Sequence, residues 1–320
     1  MSTLPNHRPL WTMAGWSALV AGVVLFGLHA DRYSAALATR VLVVGLLAAS
    51  VAVLAGWCGL ASLGQTFPFA LGAFTTGLLA KQGLTTGPLL VCLAAGAGVL
   101  GAAVTGPIVL RVRGTVFLMV TLALGELAGA TATRWSTVTG GSDGLFGIPA
   151  TRWWPGTAPL VDPVATFGYA AVVVGLVVVL AVTLLRSPYG LLLRGVRDNE
   201  PRLRAAGHPV ERYLYAVFVG AGAVAAVAGS LLVTAQRYVS PADLSFDLGA
   251  LVLLAVVIGG TASIAGAFAG AALLVLARDW LAGPWPGHAP LLVGALLVLA
   301  VYALPEGLSG AARRLLGGGS

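Results

Sequence analysis

Arg186-Ser-Pro-Tyr-Gly-Leu-Leu-Leu-Arg-Gly-Val-Arg-Asp-Asn-Glu-Pro-Arg-Leu-Arg-Ala-Ala-Gly207, continued by His208-Pro-Val-Glu-Arg212, holds nine of the chain's 18 basic and 11 acidic side chains. On either side lie apolar runs, 163–185 and 213–236. Each is long enough to cross a bilayer, which takes roughly 20 apolar residues. A charged island between two such runs reads as a structured loop at a membrane surface. The whole chain agrees, being 58% hydrophobic and 9% charged with a mean hydropathy of +0.94. A soluble domain typically carries about 25% charged residues, so a soluble fold is excluded. The fold class is all-α: one polytopic helical membrane domain over 1–320, with about eight to ten transmembrane segments, some of them discontinuous.

Further apolar runs cover 11–30, 36–56, 58–80, 88–109, 115–133 and 289–304. The run at 11–30, behind Arg8, is long and followed by other spans, so it reads as an uncleaved first span rather than a signal peptide. Region 248–277 is interrupted by Gly259-Gly260-Thr261-Ala262-Ser263-Ile264-Ala265-Gly266 and reads as two helices or half-helices joined by a turn. If that pair returns to its starting side, a cytoplasmic N-terminus leaves eleven arginines and four acids inside. Seven cations and six acids then fall outside, with Glu126 inside a span. The bias of basic residues toward the cytoplasm favours this topology. It puts both termini and the 186–212 loop in the cytoplasm and 134–162 outside, in a chain crossing the cytoplasmic (plasma) membrane.

The net charge of +7 follows from that bias and carries no reading as nucleic-acid binding. The 44 glycines fit close helix packing in lipid. Cys58 and Cys92 sit in apolar runs without metal-like spacing, and no metal site is expected. Lys81 is the one lysine, and no Walker A sequence occurs, so the chain holds no cofactor; ATP and Mg would be bound by a partner ATPase. A membrane enzyme fits poorly, because no pair of His, Cys or carboxylates lies together within the spans. His7, His29, His208 and His288 are near loops. No catalytic residue is expected.

Four clusters stand out. In Gly56 to Phe74, glycines, Pro68 and the polar Ser62, Gln65 and Thr66 sit where a continuous helix should be. Proline removes a backbone donor, and freed backbone groups at membrane depth must be buried in protein or face water. Both a discontinuous helix lining a substrate path and a kinked glycine packing face fit. In Arg111 to Glu126, Glu126 is the sole acid well inside a span, beside Thr121. A charge at the bilayer centre costs about 2.5–3.5 kcal/mol on insertion scales, so Glu126 must be protonated, paired or facing water. A pathway residue, a ligand for a substrate ammonium group and an interhelical hydrogen bond all satisfy that. Thr139 to Pro149, with Gly141, Ser142 and Asp143, marks a tight irregular loop that gates the outer mouth, receives a delivery protein or is an ordinary turn. In the charged island, Leu191, Leu192, Val196 and Leu203 space like one face of a surface helix, with Pro201 expected to interrupt or end it. Docking of a partner and simple contact with membrane lipid both fit that helix.

Taken together, these clusters resemble the membrane subunit of ABC importers for branched-chain amino acids and related small polar solutes, from about Gly45 to Leu276. The most specific pieces are Gly-Leu-Ala-Ser-Leu-Gly at 59–64, Leu71-Gly72-Ala-Phe74, Arg113-Gly114 with Thr121 and Glu126, and Thr139-Gly-Gly-Ser-Asp-Gly144. Ser187-Pro-Tyr-Gly190, Arg197-Asp-Asn-Glu200 with Ala206-Gly207, Ser240-Pro241 and Val257-Ile-Gly-Gly260 complete the set. The resemblance implies two permease subunits (related or identical), two ABC ATPase subunits and an extracytoplasmic substrate-binding protein. It makes the 187–207 loop the segment seated on an ATPase, with Gly190, Arg194, Arg197, Asp198, Asn199, Glu200 and Gly207 in coupling. It places Ser62, Gln65, Thr66, Thr121 and Glu126 near the path. The family often has Gln at Leu60, His at Gln65 and Tyr at Phe74, which leaves the solute open; it has small or apolar residues at Pro201 and Arg202, so the coupling helix is expected to end earlier than usual. The alternative is a stand-alone secondary transporter or channel, which broken helices and an intramembrane acid suit equally well. The echo of Ala61-Ser62-Leu63 in Ala262-Ser263-Ile264 hints at an internal repeat.

Overall fold

The computed structural model describes residues 30–261 and 263–282, with Gly294. The expected spans 11–30 and 289–304, with Arg8, Arg313 and Arg314, lie outside the described residues apart from Ala30 and Gly294. The chain forms α1 (Arg32–Cys58), α2 (Thr66–Lys81), α3 (Gly87–Val109), α4 (Gly114–Arg134), the single turn α5 (Ser136–Thr139), α6 (Pro163–Arg186), α7 (Pro188–Ala205), α8 (Val210–Gln236), α9 (Phe246–Gly259) and α10 (Ile264–Ala282). Two 3₁₀ turns, Gly141–Asp143 and Pro241–Leu244, sit in the connections. Six helical stretches among the described residues are long and apolar enough to cross a membrane: α1, α3, α4, α6, α8 and Pro241–Gly259. This is an all-α, multi-pass membrane protein.

The breaks fall where small and polar residues interrupt the apolar runs. Gly59, at φ 71°, ends α1, and its N–H returns to the Leu54 carbonyl. Residues 59–65 are then non-helical until α2 begins at Thr66. Pro68 stands in the first turn of α2, where a missing N–H costs nothing, so the break lies ahead of the proline and not at it. At 16 residues, α2 is about 24 Å long, short of the roughly 30 Å hydrocarbon layer. The 14-residue α9 is shorter still. Gly260 terminates it, and α10 runs back antiparallel, so the 248–277 region is a helical hairpin as its glycines foretold. Tyr33 at the start of α1 donates to Asp279 near the end of α10, which brings the hairpin back to the end of the bundle where it began.

Backbone contact between helices builds the centre. A methyl group on Gly72 would strike the Ala226 carbonyl, one on Gly229 the Phe69 carbonyl, and one on Gly98 would sit 2.6 Å from the Gly222 oxygen. These three approaches lock α2 and α3 onto α8. Within α9–α10, Gly259 meets Gly266 and Ala255 meets Gly270 in the same way. In lipid, where apolar side chains gain nothing from leaving their solvent, such close packing is what holds helices together. Inside α3, Pro107 leaves the Ala103 carbonyl without its usual helical donor. The Tyr215 hydroxyl of α8 fills the vacancy at 3.1 Å.

Gly229→Ala should therefore lower stability by about 1–3 kcal/mol, the range for overpacking. Gly96→Ala, whose added methyl meets nothing within 4 Å, should be neutral or slightly stabilising. Thermal unfolding of the two variants in detergent measures the difference, and equal midpoints would contradict the glycine seam.

Candidate functional site

The non-helical segment after α1 is wrapped by α4 and α9. Gly64 lies so close to α4 that a methyl there would sit 2.5 Å from the Thr121 carbonyl, and Gly125 faces the Thr66 hydroxyl. Gly249 of α9 faces the Leu63 carbonyl from the other side. The Thr121 hydroxyl accepts from Leu63 N–H at 3.3 Å and donates to the Leu118 carbonyl at 2.9 Å. Ser62 Oγ accepts from Gly64 N–H at 3.2 Å. Ser62, Gln65, Thr66 and Thr121 are all 4% exposed or less. They form a sealed joint between the break and α4 rather than an open wall, and Gln65 Oε1 is buried without a hydrogen-bond partner.

Glu126 is placed apart from them. One residue beyond Gly125, it turns to the exposed side of α4 and lines a cleft of about 400 Å³ with Gly129, Thr133, Ser142 and Ser245. That cleft lies toward the end of the bundle that carries 134–162. There the Gly141–Asp143 turn is tied to the α8–α9 connection: Leu145 and Val239 exchange backbone hydrogen bonds at 2.8 and 3.1 Å. The Tyr238 hydroxyl donates to the Asp143 carbonyl at 3.0 Å. Gly144 passes so near the Val239 carbonyl that no side chain fits. Gly141 is buried, and Ser142 and Asp143 are exposed.

At the opposite end α7 lies across the bundle. Ser187-Pro188 starts it, and Gly190 packs directly on the Leu185 carbonyl. That contact fixes the helix's rotation, so Gly190, Leu193 and Val196 are the buried positions. The expected stripe of Leu191, Leu192, Val196 and Leu203 is corrected accordingly: Leu191 is 73% exposed. The interruption expected around Pro201 is present, two residues ahead of it. The backbone leaves helical geometry at Asn199 (φ −159°, ψ 86°), and Asn199 Oδ1 accepts from Arg202 N–H at 3.0 Å. Asn199 thus caps a second helical piece in whose first turn Pro201 is well tolerated.

Three charged side chains of α7 also reach the bundle. Arg194 stacks over the Trp57 ring at 5.8 Å, and Arg197 Nη1 donates to the Gly56 carbonyl at 2.5 Å. Both seize the end of α1 just before the break. Glu200 pairs with Arg113, the residue before α4, at 3.3 Å, and with Arg204 at 2.8 Å; Arg204 also reaches Glu211 at 3.4 Å. Partial burial pulls the Glu200 carboxyl upward, but hydrogen bonds and charge from Arg113 and Arg204 outweigh it and hold it below the usual carboxylate range. Asp198 and Gly207 are exposed. Nothing in the sequence pattern foreshadowed the Arg113–Glu200 contact, because Arg113 counts there only as a basic residue and a motif member.

Residues 33–301 match the family described as the permease component of branched-chain amino acid transport systems. The chain belongs to that family. It is 31% identical over 316 residues to the high-affinity branched-chain amino acid transport system permease protein LivM of Salmonella typhimurium strain LT2. It is 31% identical to the same protein of Escherichia coli K12. Each comparison covers 91% of this chain and 73% of the relative. No solved structure matches the permease. Among the described residues no cluster of His, Cys, Asp or Glu has the makings of a metal site.

Because the folded Glu200 carboxyl titrates below its unfolded value of about 4.3, its tie to Arg113 is complete above that pH and fades as pH falls through the lower folded value. Protection of the α7 amides in the permease, corrected for the intrinsic pH dependence of exchange, should fall as pH drops below the usual carboxylate range, and Glu200→Gln should remove that step. A step of unchanged size in the variant would assign the loosening to other groups.

Proposed function

We propose that this permease forms half of the translocation path of an ATP-driven importer, as a single transmembrane domain. A second permease subunit, related or identical, supplies the other half. Two ABC ATPases bind ATP and Mg at the α7 side, which is then cytoplasmic, and an extracytoplasmic substrate-binding protein delivers the solute to the Gly141–Asp143 side. The observation that carries this reading is the double grip of α7. Through Arg194 and Arg197 it holds the end of α1, and through Glu200 it holds the start of α4. A displacement of α7 by an ATPase is thereby passed to both elements that flank the 59–65 break.

The exposed side of α4 supports the second subunit. Glu126 stands on a helix whose neighbours Met119 and Leu127 are also exposed, and a carboxylate facing lipid is costly. A facing subunit with a water-filled gap between removes that cost and puts Glu126 beside the solute. The relatives named for branched-chain amino acids make a zwitterion with an apolar side chain the first candidate, its ammonium group meeting Glu126. Leu191, exposed on α7 with no cover from the bundle, is the apolar contact offered to the ATPase, with Asp198, Asn199 and Gly207 around it.

In the reconstituted assembly Glu126→Gln should reduce uptake of labelled leucine by tenfold or more, on the order of the 1.4 kcal/mol that a factor of ten represents. Membrane insertion should be unchanged. Uptake at the wild-type level across pH would make Glu126 a structural residue. Leu191→Glu should weaken retention of the ATPase while leaving the unfolding midpoint unaltered, and full retention would move the docking contact elsewhere on α7.

A further inference from the structure

A second cleft, of about 720 Å³, opens beside α7 where α3, the α3–α4 link and α8 converge. One wall is apolar: Gly106, Pro107, Leu110 and the Tyr215 ring. The rest is charged, with Arg111, Arg113, Arg204 and Arg212 against Glu200 and Glu211. The two acids are already engaged, Glu200 by Arg113 and Arg204, and Glu211 by Arg204. Arg111 and Arg212 are exposed and form no ion pair among the described residues. The cleft thus keeps an excess of two positive charges. It also adjoins the most exposed apolar side of α3, where Val104 and Ile108 are 73% and 67% exposed.

We propose that this cleft binds the phosphate of an anionic phospholipid, with Arg111 and Arg212 holding the phosphate oxygens and the lipid's glycerol and first methylenes lying on Pro107, Leu110 and Tyr215. Basic pockets between membrane helices at the charged end of a bundle have the chemistry for such headgroups. Guanidinium groups match phosphate oxygens in geometry as well as charge. Free phosphate shares the recognition chemistry, but the apolar wall and its continuity with the lipid-facing side of α3 favour the lipid. A lipid bound there bridges the start of α4 and the start of α8 across the second piece of α7, the joint that the coupling contacts use. The site does not depend on the transport reading: it rests on the cleft alone.

The test delipidates the full chain in mild detergent and titrates it with phosphatidylglycerol or phosphatidylcholine, reading retained lipid by native mass spectrometry. The wild type should retain phosphatidylglycerol in preference. Arg111→Gln with Arg212→Gln should lose that preference by about fivefold for each arginine removed, roughly 30-fold for both. Arg186→Gln, a charge lost outside the cleft, should change nothing. If the double variant is not recovered folded, Arg111→Gln alone leaves every ion pair of the cleft intact and carries the same comparison. Undiminished retention in the arginine variants would overturn the site. Displacement of phosphatidylglycerol by an equal concentration of inorganic phosphate would overturn it in favour of a soluble anion. Loss of the ATPase from the assembly with lipid retention unchanged would assign the arginines to a protein interface instead.

Discussion

An unwound backbone inside a bilayer has to find its hydrogen bonds in protein, since hydrocarbon offers none. In this permease the unwound stretch is residues 59–65, mostly buried among helices, and the surrounding structure answers the same need. Thr121 of α4 accepts the Leu63 N–H, Ser62 accepts that of Gly64, and glycines at 64, 125 and 249 let α4 and α9 close over the segment. The same need for close approach recurs where α2 and α3 meet α8 through Gly72, Gly98 and Gly229. A break so wrapped is a joint: its position is fixed by contacts to helices that can themselves be moved.

The joint is connected to the surface of the bundle. Gly56 and Trp57, just ahead of the break, are held by Arg197 and Arg194 of α7, and Arg113, at the head of α4, is held by Glu200. Two short helical pieces meeting at Asn199 divide this work, the first gripping α1 and the second α4. Polar side chains that a pathway reading would expose are buried in the joint, and Glu126, an acid midway along α4, lies on the free side of that helix. In this arrangement the joint is closed, and the exposed face of α4 is the one on which the proposed second subunit would sit.

Much of this was legible in the chain. Apolar runs of span length gave α1, α3, α4, α6 and α8 within a few residues, and Gly259 to Gly266 correctly foretold a hairpin. The break near Ser62 was readable from glycines and polar residues ahead of Pro68, which stands in the first turn of α2. What the sequence withheld depends on rotation and on distant partners. Which face of α7 is buried follows from Gly190 meeting Leu185, a contact that periodicity alone could not supply when it set Leu191 on one face with Val196. That Thr121 caps Leu63, 58 residues away, and that Glu200 meets Arg113, 87 residues away, are consequences of packing that no local pattern contains. The family motifs named the right neighbourhoods without saying which side chains touch.

The central claim, that this permease moves solute only as part of an ATPase-driven assembly, is most directly tested by gentle purification of the tagged chain from its native membrane. Mass spectrometry identifies what accompanies it, and the preparation is then assayed for uptake in liposomes with and without ATP. The account predicts an ATPase in near-stoichiometric amount, a second permease subunit or a second copy, and uptake that requires ATP. A chain that purifies alone and moves solute into ATP-free liposomes would contradict it and establish a secondary transporter.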